Sequence, residues 1–299
     1  MILADIGNID LQNARTWLWA ATLVYAIGFG MGGYFAKKGK MIPGMGFLGF
    51  VLLGFILQTR GLYYRGMDTH ACPLGNGMEM IQFIAWSFVL TYLLIRFIFQ
   101  LHLLGLFTTG MATLLSIVAL ACPVLDKPYW TESGYEGLFS NPWIELHAAV
   151  AVFSYGVFGL LAMVAVMYLL QHAALRKKQT SAFLRILPSI QQLEQSAEKL
   201  LILGVTFLTI SVGVGAIHWL KDLGDVSVPK LAVTIFVWVL YLAMLILHRT
   251  GHIYAKRFAQ AGVLAFVLAL VSMGTVSSAA SKKDKADNHS EKEAVQQHD

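Results

Sequence analysis

The sequence predicts an all-α fold, a polytopic membrane helix bundle of about eight transmembrane helices. Three observations predict it. Hydrophobic residues make up 57% of the 299 residues, charged residues 13%, and the mean hydropathy is +0.64. That is too little charge to cover a water-soluble globule. The apolar residues gather in stretches near the roughly 20 residues that a helix needs to cross about 30 Å of hydrocarbon. The polar connections alternate in charge along the chain, as the positive-inside rule requires of a multi-pass protein.

The first span covers residues 17–35 and is stopped by Lys37, Lys38 and Lys40. The second, 41–58, is rich in Gly and Leu and gives way to a polar connection, LQTRGLYYRGMDTHACPLGNG, where Pro73 and Gly75 favour a turn. The third, 78–95, sets Glu79, Gln82, Phe83 and Trp86 along one face at its start. Arg96, Gln100 and His102 turn the chain into the fourth, 103–122. The longest connection follows, PVLDKPYWTESGYEGLFSNPW, aromatic, acidic and broken by prolines. It leads into 141–171, where Pro142 and Trp143 precede His147 and no charge then appears until Arg176. Residues 172–200 are polar and basic, and their second half reads as an amphipathic helix lying along the inner surface. The sixth span is 200–218, followed by the short loop WLKDLGDVSVPK; the seventh is 231–248 and the eighth 258–275. Residues 1–276 then form one transmembrane domain, and 277–299 a charged tail too poor in apolar residues to fold.

Charge placement orients the map. Lys37, Lys38, Lys40, Arg96, Arg176, Lys177, Lys178, Arg185, Lys199, Arg249, Lys256 and Arg257 fall in one set of connections. They outnumber Arg15, Arg60, Arg65, Lys127, Lys221 and Lys230 in the other. The first set is therefore inner and both termini are outer, in the plasma (inner) membrane of the cell. The net charge of +5 is then a topology signal and gives nucleic-acid binding no support. The start, MILADIGNIDLQ, lacks the basic region of a cleavable signal. Cys72 and Cys122 stand in neither CxxC nor CxxCH contexts, which excludes a thioredoxin-like reductase and a c-type cytochrome. On the outer side they either pair or remain two buried thiols. Ser/His/Asp spacing, a glycine-rich phosphate loop and HExxH are all missing, so no catalytic residue is named.

Histidines gather at the two membrane boundaries. His70, His147 and His218 fall at the outer one beside Trp130, Trp143 and Trp219; His102, His172, His248 and His252 fall at the inner one. His147, Ala151, Ser154, Tyr155 and Phe158 share one helical face, as do Trp238, Tyr241, Leu245, His248 and His252. An imidazole so placed reads two ways: as an axial ligand to a flat, apolar cofactor such as haem, or as an interfacial side chain with its polar tip in water. The aromatic stripe on the seventh span likewise reads as helix packing or as a cofactor wall.

Four stretches in order resemble the cytochrome c assembly family of haem-handling membrane proteins (CcsA, CcmC and the HemX-like branch). They are HACPLGNGMEMIQFIAWSFVLTYLL, HAAVAVFSYGVFGLLAMVAVMYL, LPSIQQLEQSAEKLLILGVTFLTISVGVGAIHW and VPKLAVTIFVWVLYLAMLILHRTG. Together they lie within residues 58–275. The resemblance implies haem b, presented at the outer face for attachment to apocytochrome c, with His147 and His248 as axial ligands to the iron. It implies His70 or His218 as partner ligand to His147, and His102 as partner to His248. Trp143, Trp130 and Trp219 would be a stacking surface, and a membrane partner subunit would complete the assembly system. The loop before Pro229 and Lys230 keeps Gly224 but lacks the family's tryptophans and aspartate, and no second outer histidine follows the last span. Both departures point to the HemX-like branch, where the alternative role is regulation or scaffolding in tetrapyrrole metabolism. An enzyme would then dock on the inner segment 176–199.

Overall fold

The computed structural model describes residues 13–40, 44–69, 72–99, 103–126, 142–178, 187–219 and 228–272. Every extended element among them is helical: α1 (Ala14–Lys37), α2 (Gly44–Thr69), α3 (Gly77–Phe99), α4 (Leu104–Ala121), α5 (Pro142–Arg176), α6 (Ile190–Trp219), α7 (Val228–Arg249) and α8 (Ala255–Ser272). A single 3₁₀ turn, Pro123–Asp126, follows α4. All eight helices are long and apolar enough to cross a bilayer. The chain is a multi-pass membrane protein.

Local chemistry sets the helix ends. Asn13 caps α1, its side chain accepting from Arg15 N at 2.9 Å. Pro142 opens α5 at the position where a missing N–H costs nothing. Ser189 and Gln192 form a reciprocal capping box at the head of α6, with bonds of 3.3 and 3.2 Å. At the end of α7, Gly251 takes a φ of +74°. Its N–H reaches His248 O at 3.1 Å while His252 N–H reaches Leu247 O at 2.9 Å, a Schellman cap.

Helix α5 is the axis of the bundle. It is apolar on every side, and 72% of its most apolar window is buried, against 17% for α7. Helix α3 lies on one side of it, holding α4; α1 packs on α2 and α4. On the other side α6 runs against α5 and α7 against α6. Helix α8 returns to α5, where Phe266 covers Gly159 and Gly262 meets Leu161 and Ala165. Close approach between α1 and α2 depends on Gly54 and Gly61: a Cβ at Gly61 would sit 2.8 Å from the Leu18 side chain. Rows such as Leu52, Leu53 and Ile56 on α2, or Ile235, Phe236 and Val239 on α7, face outward, where a bilayer would solvate them.

Three expectations need correction. The second span does not end at Gln58: α2 continues to Thr69, because no breaker intervenes before Pro73 and its charges find partners. Arg60 stacks over Trp17 and Tyr64, and Arg65 pairs with Glu79. The segment before the sixth span is not a separate surface helix. From Ile190 it is the first part of α6, with Leu193, Ala197, Leu200 and Leu201 buried in the bundle core. Third, His252 leaves the α7 stripe, because the Gly251 cap ends the helix; it is exposed and bonded to Thr250 Oγ1 at 2.7 Å. No disulfide joins Cys72 and Cys122, both half-buried. The tail beyond residue 272 lies outside the described residues.

Candidate functional site

Two polar clusters mark one end of the bundle. In the first, Glu79 is 2% exposed and accepts from Arg65 Nε at 2.5 Å and from Gly75 N at 2.7 Å. Asn76 Oδ1 accepts from Glu79 N at 2.8 Å and its amide bridges Glu79 and Asp126 at 3.3 and 3.4 Å. Arg15 reaches Asp126 at 2.8 Å and Leu120 O at 3.1 Å. This clasp ties the start of α1, the end of α2, the start of α3 and the exit of α4. Buried ions persist only when paired and hydrogen-bonded in this way.

The second cluster holds His147. Its Nδ1 lies 2.7 Å from Ser211 O, and a carbonyl only accepts, so Nδ1 carries the proton. Ser211 Oγ donates to His147 O at 2.9 Å, clamping the turn of α5 that carries the ring. Gly215, one turn on along α6, leaves room for the imidazole: a Cβ there would stand 2.8 Å from Nδ1. In this tautomer the lone pair is on Nε2. Metal-ligating histidines are held in just this manner, the second nitrogen donating to a backbone carbonyl.

His248 sits near the C-terminus of α7, at the opposite end. Its ring stacks face to face on Phe258 of α8, with centroids 3.9 Å apart and planes 14° from parallel. Its Nδ1 is buried and has no hydrogen-bond partner among the described residues. A buried imidazole nitrogen left so is costly, and coordination to a metal would satisfy it. The tautomer of His147 is the one that axial ligation through Nε2 requires, whereas His248 presents only a buried Nδ1 closed off beside Phe258. His147 stands eleven residues before Phe158 on α5, Phe158 stacks on Tyr241, and His248 lies seven residues beyond Tyr241. At 1.5 Å per residue the two imidazoles are about 27 Å apart along the bundle, so one ligand cannot bridge them.

Trp143 opens α5 and is 62% exposed. His218 and Trp219 close α6 in backbone, and their side chains lie outside the described residues. His70, His102 and Trp130 also lie outside them. Sequence reasoning missed Ser211 and Gly215, although their i, i+4 spacing on α6 puts both on one face. It placed Glu79 on one face of its helix but not its pairing with Arg65, which comes from another helix. Cys72 N donates to Glu145 Oε1 at 3.4 Å. Burial, with Glu145 and Glu79 adding to it, pushes the Cys72 thiol up to about 11.

The family described as cytochrome C assembly protein matches residues 74–280. Among curated proteins, the chain is 28% identical over 264 residues to Protein HemX of Brevibacillus brevis, covering 88% of this chain and 93% of that one. Protein HemX of Bacillus subtilis (strain 168) is 26% identical over 183 residues, covering 60% of this chain and 62% of its own length. Cytochrome c biogenesis protein CcsA of Mesostigma viride is 28% identical over 167 residues, covering 54% of this chain and 53% of its own.

Proposed function

Because the chain belongs to the cytochrome c assembly protein family, with a role in cytochrome c biogenesis, we propose that it binds haem b and presents it at the outer face of the plasma membrane. The observation that carries the reading is His147: its Nδ1–H donation to Ser211 O leaves the lone pair on Nε2. The bound group would supply the iron and the vinyl carbons to which an apocytochrome is joined. The chain's own residues do the rest. Ser211 fixes the tautomer and the turn, and Gly215 makes room for the ring. His248 would hold iron near the inner leaflet, with Phe258 fixing its ring plane. His70 or His218 would be the second ligand to the outer haem and His102 to the inner one. Trp143, Trp130 and Trp219 would stack on the outer porphyrin. Both termini would be outside, and a membrane partner subunit would receive or deliver the haem.

The test is spectroscopic. Protein purified in mild detergent from haem-replete cells is expected to show a b-type Soret band that His147→Ala and His248→Ala each weaken. A wild type with no haem absorbance would refute the reading.

A second reading is favoured by the match along almost the whole of a HemX protein. There the chain regulates or scaffolds tetrapyrrole metabolism without moving haem, and an enzyme docks at residues 176–199. Deleting the host gene separates the two. Lost c-type cytochromes with normal haem precursors support haem handling; altered precursors with normal cytochromes support the second reading.

A further inference from the structure

At the clasp end of the bundle, Arg15 pairs with Asp126, and Arg65 pairs with Glu79 and Asp126. Arg60 is different: no carboxylate among the described residues pairs with it. Its guanidinium donates to Tyr64 Oη at 2.9 Å and leans over two rings, 4.7 Å from the centroid of Trp17 and 5.3 Å from that of Tyr64. The two rings stack on each other across the seam between α1 and α2, with centroids 6.5 Å apart. Rings of this kind hold a guanidinium in place without neutralising it, and its remaining N–H groups are still free to donate.

Arg60 also faces the bilayer. It is exposed, and so are Leu53, Ile56, Tyr63 and Met67, which share its row of α2 at helical spacing. Gly44 marks the opposite boundary, where its carbonyl accepts from Arg96 Nη2 at 3.1 Å. About 20 helical residues cross the hydrocarbon, so the near boundary, counted from Gly44, falls close to Tyr64. The Arg60 charge therefore stands about one turn inside the boundary, on a row that is otherwise apolar. A charge at that depth is costly until an anion meets it.

We propose that Arg60, Trp17 and Tyr64 form a binding site for the phosphate of an anionic phospholipid, whose acyl chains run inward along Ile56 and Leu53. The planar fork of an arginine matches two phosphate oxygens at once. Trp and Tyr rings are at home at the headgroup level of a bilayer. A lipid already carries its phosphate at this depth, whereas a free anion would have to leave water to reach it. The apolar side chains on the inward side of Arg60 likewise suit acyl chains and offer a soluble anion nothing. The site is independent of the haem reading.

The experiment is native mass spectrometry of the full-length protein in mild detergent, titrated with phosphatidylglycerol or with phosphatidylcholine, and it reads the affinity for the first lipid bound. The wild type is expected to prefer phosphatidylglycerol, whose phosphate has no ammonium group beside it. Arg60→Gln alters an exposed side chain and leaves the clasp alone. It is expected to bind phosphatidylglycerol about fivefold more weakly, the scale of an exposed charge contact, and to lose the preference. Arg60→Lys keeps the charge without the fork and is expected to fall between the two; it carries the comparison if Arg60→Gln does not fold. Unchanged phosphatidylglycerol affinity in both variants would overturn the assignment. So would displacement of the lipid by millimolar inorganic phosphate, which would make this a site for a free anion. A membrane protein that stays with the wild type and leaves Arg60→Gln, with lipid affinity unchanged, would make the row a protein contact and equally overturn it.

Discussion

Single side chains decide whether the proposed outer site works. Gly215 is one: any Cβ there presses on the His147 ring. Gly215→Val is expected to lower haem retention several-fold, read as Soret absorbance per protein, while Gly213→Val, which meets open space, leaves it unchanged. Ser211→Ala keeps the carbonyl but loses the hydroxyl clamp, so a milder effect of about 1 kcal/mol follows from one lost hydrogen bond. Cys72 offers a chemical probe of the same end. Its folded thiol titrates near 11, above the ordinary value of 9.0. The unfolded chain therefore loses this proton first, and stability is unaffected below pH 9 and falls as pH rises from about 9 to 11. At pH 8, alkylation of Cys72 should accelerate on the order of 100-fold when SDS unfolds the protein. A rate that does not change would place the thiol in water.

At the scale of the element, the helices were largely legible and their limits were not. Periodicity and length give each span, but α2 was cut short at Gln58 because charge was read as an end signal. Arg60 and Arg65 remain helical since Trp17, Tyr64 and Glu79 meet them, and those contacts cross three helices. The same blindness hid the clasp: Asn76 and Glu79 form a readable cap, but nothing local announces Asp126 or Arg15. Glu79→Gln is expected to cost about 2 kcal/mol in detergent unfolding. That is less than a fully buried pair, because Arg65 keeps Asp126 and is 30% exposed. A cost under about 0.5 kcal/mol would show that the pair is solvated. Gly61→Leu, pressed against Leu18 and Ala14 O, should cost about 2 kcal/mol by overpacking.

Over the whole molecule, the eight apolar spans follow from the hydropathy pattern, and so does a long span with His147 near its head; that this helix, α5, is the axis of the bundle does not. How His147 is held did not follow, because Ser211 is 64 residues away and only folding brings α6 to α5. Orientation rests on charge, so alkaline phosphatase fused after residue 126 is expected to be active and after residue 178 inactive. The reverse pattern would invert the assignment of faces. If both well-separated imidazoles hold haem, as proposed, the chain has two binding sites, and that can be counted. The most direct measurement is the ratio of haem to protein, by pyridine haemochrome assay, in wild type, His147→Ala, His248→Ala and the double variant. More than one haem per chain in the wild type, a drop in each single variant and none in the double variant is the predicted result. A haem-free wild type, or a double variant that keeps the wild-type ratio, would contradict it.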